Sequence, residues 1–283
     1  MFLLKALARL PLPALHALGV LLGWIIYLAP GRHSPRMRAN LGNSGLCAGA
    51  GCRRLLHASV AEAGKAVLEV VAVWLSPLPR VLGWVRARHG WDAVEAALAA
   101  GRGVIVIAPH LGCFEVINLH FAAHGPFTAM YKPPRKPRLG ALMRLGRERG
   151  QARLVPTDRS GVRALLVALK RGEAVGILPD QVASEGDGVW ADFLGQPAYT
   201  PTLAASLQTR TGAAAFYVVA ERLRLGRGYA LHAVPAGDFP EDKSAAARQI
   251  NAGVEAMVAR WPAQYMWTYN RYKRPGGAPP APQ

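Results

Sequence analysis

From residue 103 onward the sequence alternates between short runs rich in β-branched residues and stretches with helical spacing. No other feature restricts the fold as strongly. GVIVIAP, FTAMY, ARLVP and AVGILPD read as strands. Between them CFEVINLHFAAHG, PRLGALMRLGRERG with Pro137 near its start, and SGVRALLVALKRG with Ser160 as N-cap read as helices. PTLAASLQTRTG follows as a helix, AAAFYVVAERL and GYALHAVPA as strands in a hairpin across LGRG, and SAAARQINAGVEAMVARW as the last helix. Repeated strand–helix alternation predicts an α/β fold with a mostly parallel central sheet flanked by helices on both faces. Upstream, residues 52–75 have helical spacing and stop before Pro77, and WDAVEAALAAGRG reads as a short helix closed by Gly101. With no internal repeat and no sign of a second domain, residues 32–275 read as one α/β body in which 32–90 are a helical addition. The tail GGAPPAPQ, 276–283, reads as disordered.

Residues 1–31 speak to location. No charged residue occurs between Arg9 and Arg32. A continuous helix from Leu10 to Gly31 would approach the ~30 Å of a bilayer core, with Pro11, Pro13 and His16 weakening its first third. A cleaved signal peptide, a buried helix and a membrane-embedded helix compete. No good small-x-small cleavage site follows, and the membrane helix is the preferred reading. Arg32, Arg36 and Arg38 come directly after it, which puts the body on the cytoplasmic side. Lys5 and Arg9 blur that asymmetry, so a helix lying in one leaflet is equally allowed.

The formal net charge of +17 calls for an acidic partner: nucleic acid, an anionic membrane, or an acidic or phosphorylated substrate. The densest basic cluster is Lys132, Arg135, Lys136 and Arg138; no aromatic platform accompanies it, which disfavours nucleic acid. Three cysteines, Cys47, Cys52 and Cys113, give no paired metal spacing and read as reduced thiols without a disulfide framework.

Chemistry in open α/β sheets gathers beyond the carboxyl ends of strands. His110 falls there, after VIVIAP, and Glu115 falls in the first turns of the next helix. A carboxylate on Nδ1 of an imidazole fixes its tautomer and leaves Nε2 to accept a proton, which makes a general base. The competing structural reading is a histidine beside a helix N-terminus, with Glu115 favoured by the helix dipole. A Cys113 thiol nucleophile beside His110 is a further alternative. No G-x-S-x-G elbow, H-E-x-x-H, Walker A loop or G-x-G-x-x-G occurs, and neither cofactor nor metal is called for.

HLGCFE has the H-x4-D/E form of the lysophospholipid acyltransferase superfamily. MYKPPRKPRLGALMRLGRERG, GVRALLVALKRGEAVGILPDQ, TPTLAASLQTRTGAA and PAQYMWTYNRYKRP then follow in order. Together they resemble the late acyltransferases of lipid A biosynthesis, from about Leu3 to Pro275. The resemblance implies an enzyme of the bacterial inner membrane, on its cytoplasmic face. Such an enzyme moves an acyl chain from acyl carrier protein to a hydroxyl of an acylated, phosphorylated glucosamine disaccharide. It implies His110 as base with Glu115 as its partner, and Arg147 of RERG and Asp180 and Gln181 of the PDQ turn as substrate-binding residues. Lys132 and Arg149 join them as candidates. Lys132 stands where the family commonly has arginine, and Trp267 is followed by Thr268, Tyr269 and Asn270 where His or Arg is frequent; both departures bear on acceptor or chain preference. Transfer to another glycolipid or lysolipid, and thioester hydrolysis by the same dyad, are the alternatives.

Overall fold

The computed structural model of the protein describes residues 2–134 and 136–281. Its first part is helical: α1 (Phe2–Arg9), α2 (Leu12–Leu28), α3 (His33–Gly42), α4 (Ala50–Leu75) and the short α5 (Leu78–Leu82). Then come β1 (Val85–His89), α6 (Trp91–Ala99), β2 (Val104–Ile107), α7 (Phe114–His124), β3 (Phe127–Tyr131), α8 (Pro137–Arg147), β4 (Ala152–Pro156), α9 (Arg159–Lys170) and β5 (Ala174–Ile177). A hairpin of β6 (Gly188–Phe193) and β7 (Gln196–Pro201) precedes α10 (Leu203–Thr211), β8 (Ala214–Arg222), β9 (Tyr229–Pro235) and α11 (Lys243–Arg260).

Seven strands form one sheet in the order β1-β9-β8-β2-β5-β3-β4. β8, β2, β5, β3 and β4 are mutually parallel, while β9 runs antiparallel to β8 and carries β1 with it. The expected mostly parallel α/β sheet is therefore present, with the hairpin expected across LGRG. The pleat of central β2 distributes the core: Ile105 and Ile107 pack with Leu165 of α9, Leu207 of α10 and Ile250 of α11, and Val104 and Val106 pack with Val94 of α6 and Phe121 of α7.

Several elements differ from the sequence reading. Residues 85–89 form β1, so the sheet starts inside the stretch read as a helical addition. The β6–β7 hairpin lay outside the strand–helix pattern. α9 is capped by Asp158, whose side chain accepts from the amides of Ser160 and Gly161, so Ser160 is inside the first turn. The start of the tail is packed: Ala278 is buried and the Trp190 indole donates to the Pro279 carbonyl at 2.9 Å. Cys47 and Cys52 are joined in a disulfide, which corrects the reading of these two as free thiols; Cys113 remains free and buried.

The helix expected over Leu10–Gly31 is shortened at both ends, to Leu12–Leu28. Pro11 separates α1 from α2, and the chain bends by 96° between α2 and α3. At ~1.5 Å per residue the 17 residues of α2 span about 26 Å, and among the described residues no single helix is long and apolar enough to cross a membrane. α2 has two apolar faces. Leu12, Leu15, His16, Gly19 and Gly23 are buried, while Leu18, Leu21, Ile25 and Leu28 are exposed. The buried face crosses α4 at backbone contact: a Cβ on Gly64 would stand 2.0 Å from the Gly19 carbonyl oxygen, and one on Gly23 would stand 2.3 Å from that of Val60. A side chain there has no flexible neighbour to displace. Gly64→Ala is expected to destabilise the fold by about 1–3 kcal/mol, the usual cost of overpacking, read as a lowered thermal midpoint.

Candidate active site

β2 and β5 are neighbours in parallel register, with Ile107 opposite Ile177. Each continues through a residue and a proline to an ionisable side chain, Ala108-Pro109-His110 and Leu178-Pro179-Asp180. The shared register carries His110 and Asp180 to the same level beyond the sheet. His110 Nδ1 lies 2.8 Å from Asp180 Oδ1, and the His110 amide donates to Oδ2 at 2.9 Å. Asp180 is buried and His110 is 12% exposed in its side chain. Burial pushes the Asp180 carboxyl up, but the His110 ring and its side-chain and backbone hydrogen bonds outweigh burial and hold it below the usual carboxylate range. An ionised Asp180 takes Nδ1–H, so Nε2 carries the free lone pair. Gln181 places Nε2 of its amide 3.1 Å from that imidazole nitrogen, and Phe114 packs edge-on against the ring.

The carboxylate on His110 Nδ1 is thus Asp180, where the sequence reading expected Glu115. Glu115, buried in the first turn of α7, is turned to Arg147 and Trp74. Arg147 Nε donates to its Oε2 at 2.8 Å, Nη2 donates to Oε1, and the Trp74 indole donates to Oε2 at 2.9 Å. Arg147 stacks over the Trp74 ring, and its carbonyl accepts from Asn118 Nδ2. Burial works against the Arg147 charge, yet the Glu115 carboxylate more than compensates and its pKa is raised.

Arg149 donates to the carbonyls of Gly146, Ser76 and Val73, so its guanidinium is spent on the carboxyl end of α4. Lys132 stands exposed just past β3 and, among the described residues, makes no hydrogen bond to the His110 group. Arg135 of the same basic cluster lies outside the described residues. The structure therefore brings His110, Asp180 and Gln181 together in one group and Glu115 with Arg147 in an adjacent one; Arg149 and Lys132 join neither. Trp74 and Asn118 were not singled out in the sequence. Asn118 had a signal: it lies one turn from Glu115 on a mostly apolar helix. Trp74 had none, since only the tertiary fold brings α4 to α7.

His110 lines an apolar cavity of about 350 Å³ between α2, α3, α4 and the segment 264–268, with Ile26, Tyr27, Val67 and Val70 in its wall. A smaller one of about 50 Å³ lies behind Phe114, among Val106, Ala129, Gly176 and Arg147. The loop between His110 and α7 is held from both sides. Gly112 donates to the Gln264 carbonyl at 3.1 Å and Cys113 to that of Ala220 at 2.9 Å, while Met266 donates to the carbonyl of His110 at 3.0 Å. Gly112 has φ +63°, and a Cβ there would meet the Ala220 oxygen at 2.0 Å. These amides are engaged, whereas the first-turn N–H groups of Phe114 and Glu115 have no acceptor within the helix.

Cys113 is fully buried, and burial together with the Glu69 charge pushes its thiol well above the ordinary range. A thiolate nucleophile is disfavoured there. Cys113→Ala is expected to leave turnover largely intact in a steady-state assay.

Across residues 1–274 the chain matches the sequence model described as bacterial lipid A biosynthesis acyltransferase. The chain belongs to this family. It is 27% identical over 279 residues to the lipid A biosynthesis lauroyltransferase of Escherichia coli K12, covering 96% of this chain and 89% of that one. It is 30% identical over 217 residues to the lipid A biosynthesis palmitoleoyltransferase of the same organism, 76% of this chain and 70% of the relative. A phosphatidylinositol mannoside acyltransferase of Mycobacterium tuberculosis is 28% identical over 193 residues, 66% of this chain and 58% of its own. In this lipid A acyltransferase family member His110 stands in the wall of the larger cavity.

Proposed function

We propose that the protein moves a fatty acyl group from acyl carrier protein to a hydroxyl of an acylated, phosphorylated glucosamine disaccharide. The observation that carries this is an imidazole held at Nδ1 by a buried carboxylate, in the wall of an apolar cavity. When the acceptor binds, its hydroxyl replaces the Gln181 amide at Nε2. His110 takes the hydroxyl proton as the oxygen attacks the thioester carbonyl. First-turn amides of α7 stabilise the tetrahedral oxyanion, as an oxyanion hole does. The intermediate collapses, the C–S bond breaks, and the leaving thiolate receives the proton from the imidazolium. Asp180 holds Nδ1–H throughout and stabilises the imidazolium. Glu115 acts through Arg147: it fixes the guanidinium at the smaller cavity behind Phe114, from which it meets the charge of the acceptor or of the transition state. The scheme needs neither metal nor cofactor.

The partners follow from charge and surface. A net charge of +17 suits an acidic carrier protein and a phosphorylated acceptor. The exposed face of α2, Leu18, Leu21, Ile25 and Leu28, belongs to a segment with no acidic residue before Glu62, which suits an anionic leaflet. We place the protein at the cytoplasmic face of the bacterial inner membrane. The test is incubation with acyl carrier protein thioesters of several chain lengths and a purified lipid A precursor, with products weighed by mass spectrometry. An ester adduct is expected. Free fatty acid alone, released at the same rate with or without acceptor, would assign the site to a thioester hydrolase instead.

A further inference from the structure

Away from His110 the structure buries a second polar group. Arg222, at the end of β8, is 4% exposed; Glu69 of α4 is 1% exposed and His16 of α2 is 4% exposed. Arg222 Nε and Nη2 donate to the two oxygens of Glu69 at 2.7 Å each, and Nη1 donates to Glu62 Oε2 at 2.6 Å. His16 Nε2 closes on Glu69 Oε1 at 2.6 Å, and Lys65 bonds the other oxygen of Glu62. Burial alone would raise the Glu69 carboxyl, but Arg222 and His16 pull it down to about 2. Glu62 and Glu69 line the large cavity.

A buried ion pair is a poor route to stability, because apolar side chains of similar volume often serve as well or better. Its retention calls for a positional reason, and the main chain of Arg222 supplies one. Its amide donates to Gln264 Oε1 at 2.8 Å and its carbonyl accepts from Gln264 Nε2 at 3.0 Å. The Gln264 carbonyl in turn accepts from Gly112, in the loop that follows His110. A continuous polar path therefore runs from α2 through α4 and the end of β8 to the loop that carries the base.

We propose that Arg222, clamped by Glu69 and Glu62, is a positioning residue that holds the N-terminal helices and the His110 loop in one register. α2 is then a working wall of the active site as well as a surface element. This rests on the acyl-transfer reading for its kinetic arm only. In Glu69→Leu/Arg222→Met both charges of the buried pair leave together while Glu62 keeps Lys65, and with His16→Leu added so that no buried imidazole is stranded the thermal midpoint is expected to stay near that of wild type. kcat for acyl transfer is expected to fall at least tenfold with little change in KM for the donor. Amide hydrogen exchange at Leu111–Phe114 is expected to quicken by a similar factor while β5 stays protected. Unchanged kcat and unchanged exchange at Leu111–Phe114 in a folded triple variant overturn the proposal. Arg222→Lys retains the charge without the fork that spans both carboxylates. It is expected to show a smaller effect of the same kind and decides the matter if the triple variant does not fold. A wild-type protein that transfers no acyl group defeats the functional reading, while the exchange data still judge the positioning.

Discussion

Asp180→Asn is expected to lower kcat by about 10²–10⁴ with the fold intact. The reason lies in two hydrogen bonds made by one carboxylate. Oδ2 accepts from the His110 amide and Oδ1 faces Nδ1 of the ring. The backbone N–H is a donor that cannot change, so the single oxygen of an asparagine must stay on it. The asparagine NH₂ then faces Nδ1, which has to become an acceptor. The ring proton moves to Nε2, and the lone pair needed for the acceptor hydroxyl is gone. His110→Ala removes the base outright and is expected to lose at least as much. Steady-state kinetics with circular dichroism decide it. An Asp180→Asn enzyme within a few-fold of wild-type kcat would remove Asp180 from the proposed mechanism.

This pairing was half legible in the sequence. VIVIAPH and AVGILPD are the same phrase twice: an apolar strand, one residue, a proline and an ionisable side chain. Once β2 and β5 are adjacent and parallel, equal spacing brings the two side chains to one place. Strand adjacency is set by long-range packing, and without it the nearer Glu115 is the natural partner to choose. The alternation that predicts the sheet was readable because the central strands β2 and β5 are apolar runs buried on both faces. β1 was not readable: VRARH alternates charge on an edge strand and carries little apolar signal. The β6–β7 hairpin turns at Leu194–Gly195, without the Asn-Gly signal of a two-residue turn, and half its residues are only partly buried. On α2 the apolar composition suggested one continuous span. It conceals that one face belongs to α4, because Gly19 and Gly23 meet partners 37 to 46 positions away. The disulfide between Cys47 and Cys52 depends on how the α3–α4 connection turns back, which spacing alone does not give.

The second large effect concerns Glu115, which is 3% exposed in its side chain and takes two hydrogen bonds from Arg147. Arg147→Met strands that carboxylate with only the Trp74 indole for a partner. Removing one member of a buried pair costs about 3–5 kcal/mol. For a domain of this size that lowers the thermal midpoint by roughly 6–20 °C. Glu115→Leu/Arg147→Met removes both charges, and most of the lost stability is expected to return. Turnover is expected to remain low in the double variant, because the guanidinium that Glu115 holds is absent there. The two measurements separate architecture from chemistry. If scanning calorimetry shows stability restored and kcat returns with it, Glu115 and Arg147 are packing groups whose charges the reaction does not use. If stability returns alone, the pair contributes to acyl transfer through the position of Arg147, and the acidic residue that follows His110 by five positions acts without touching the imidazole.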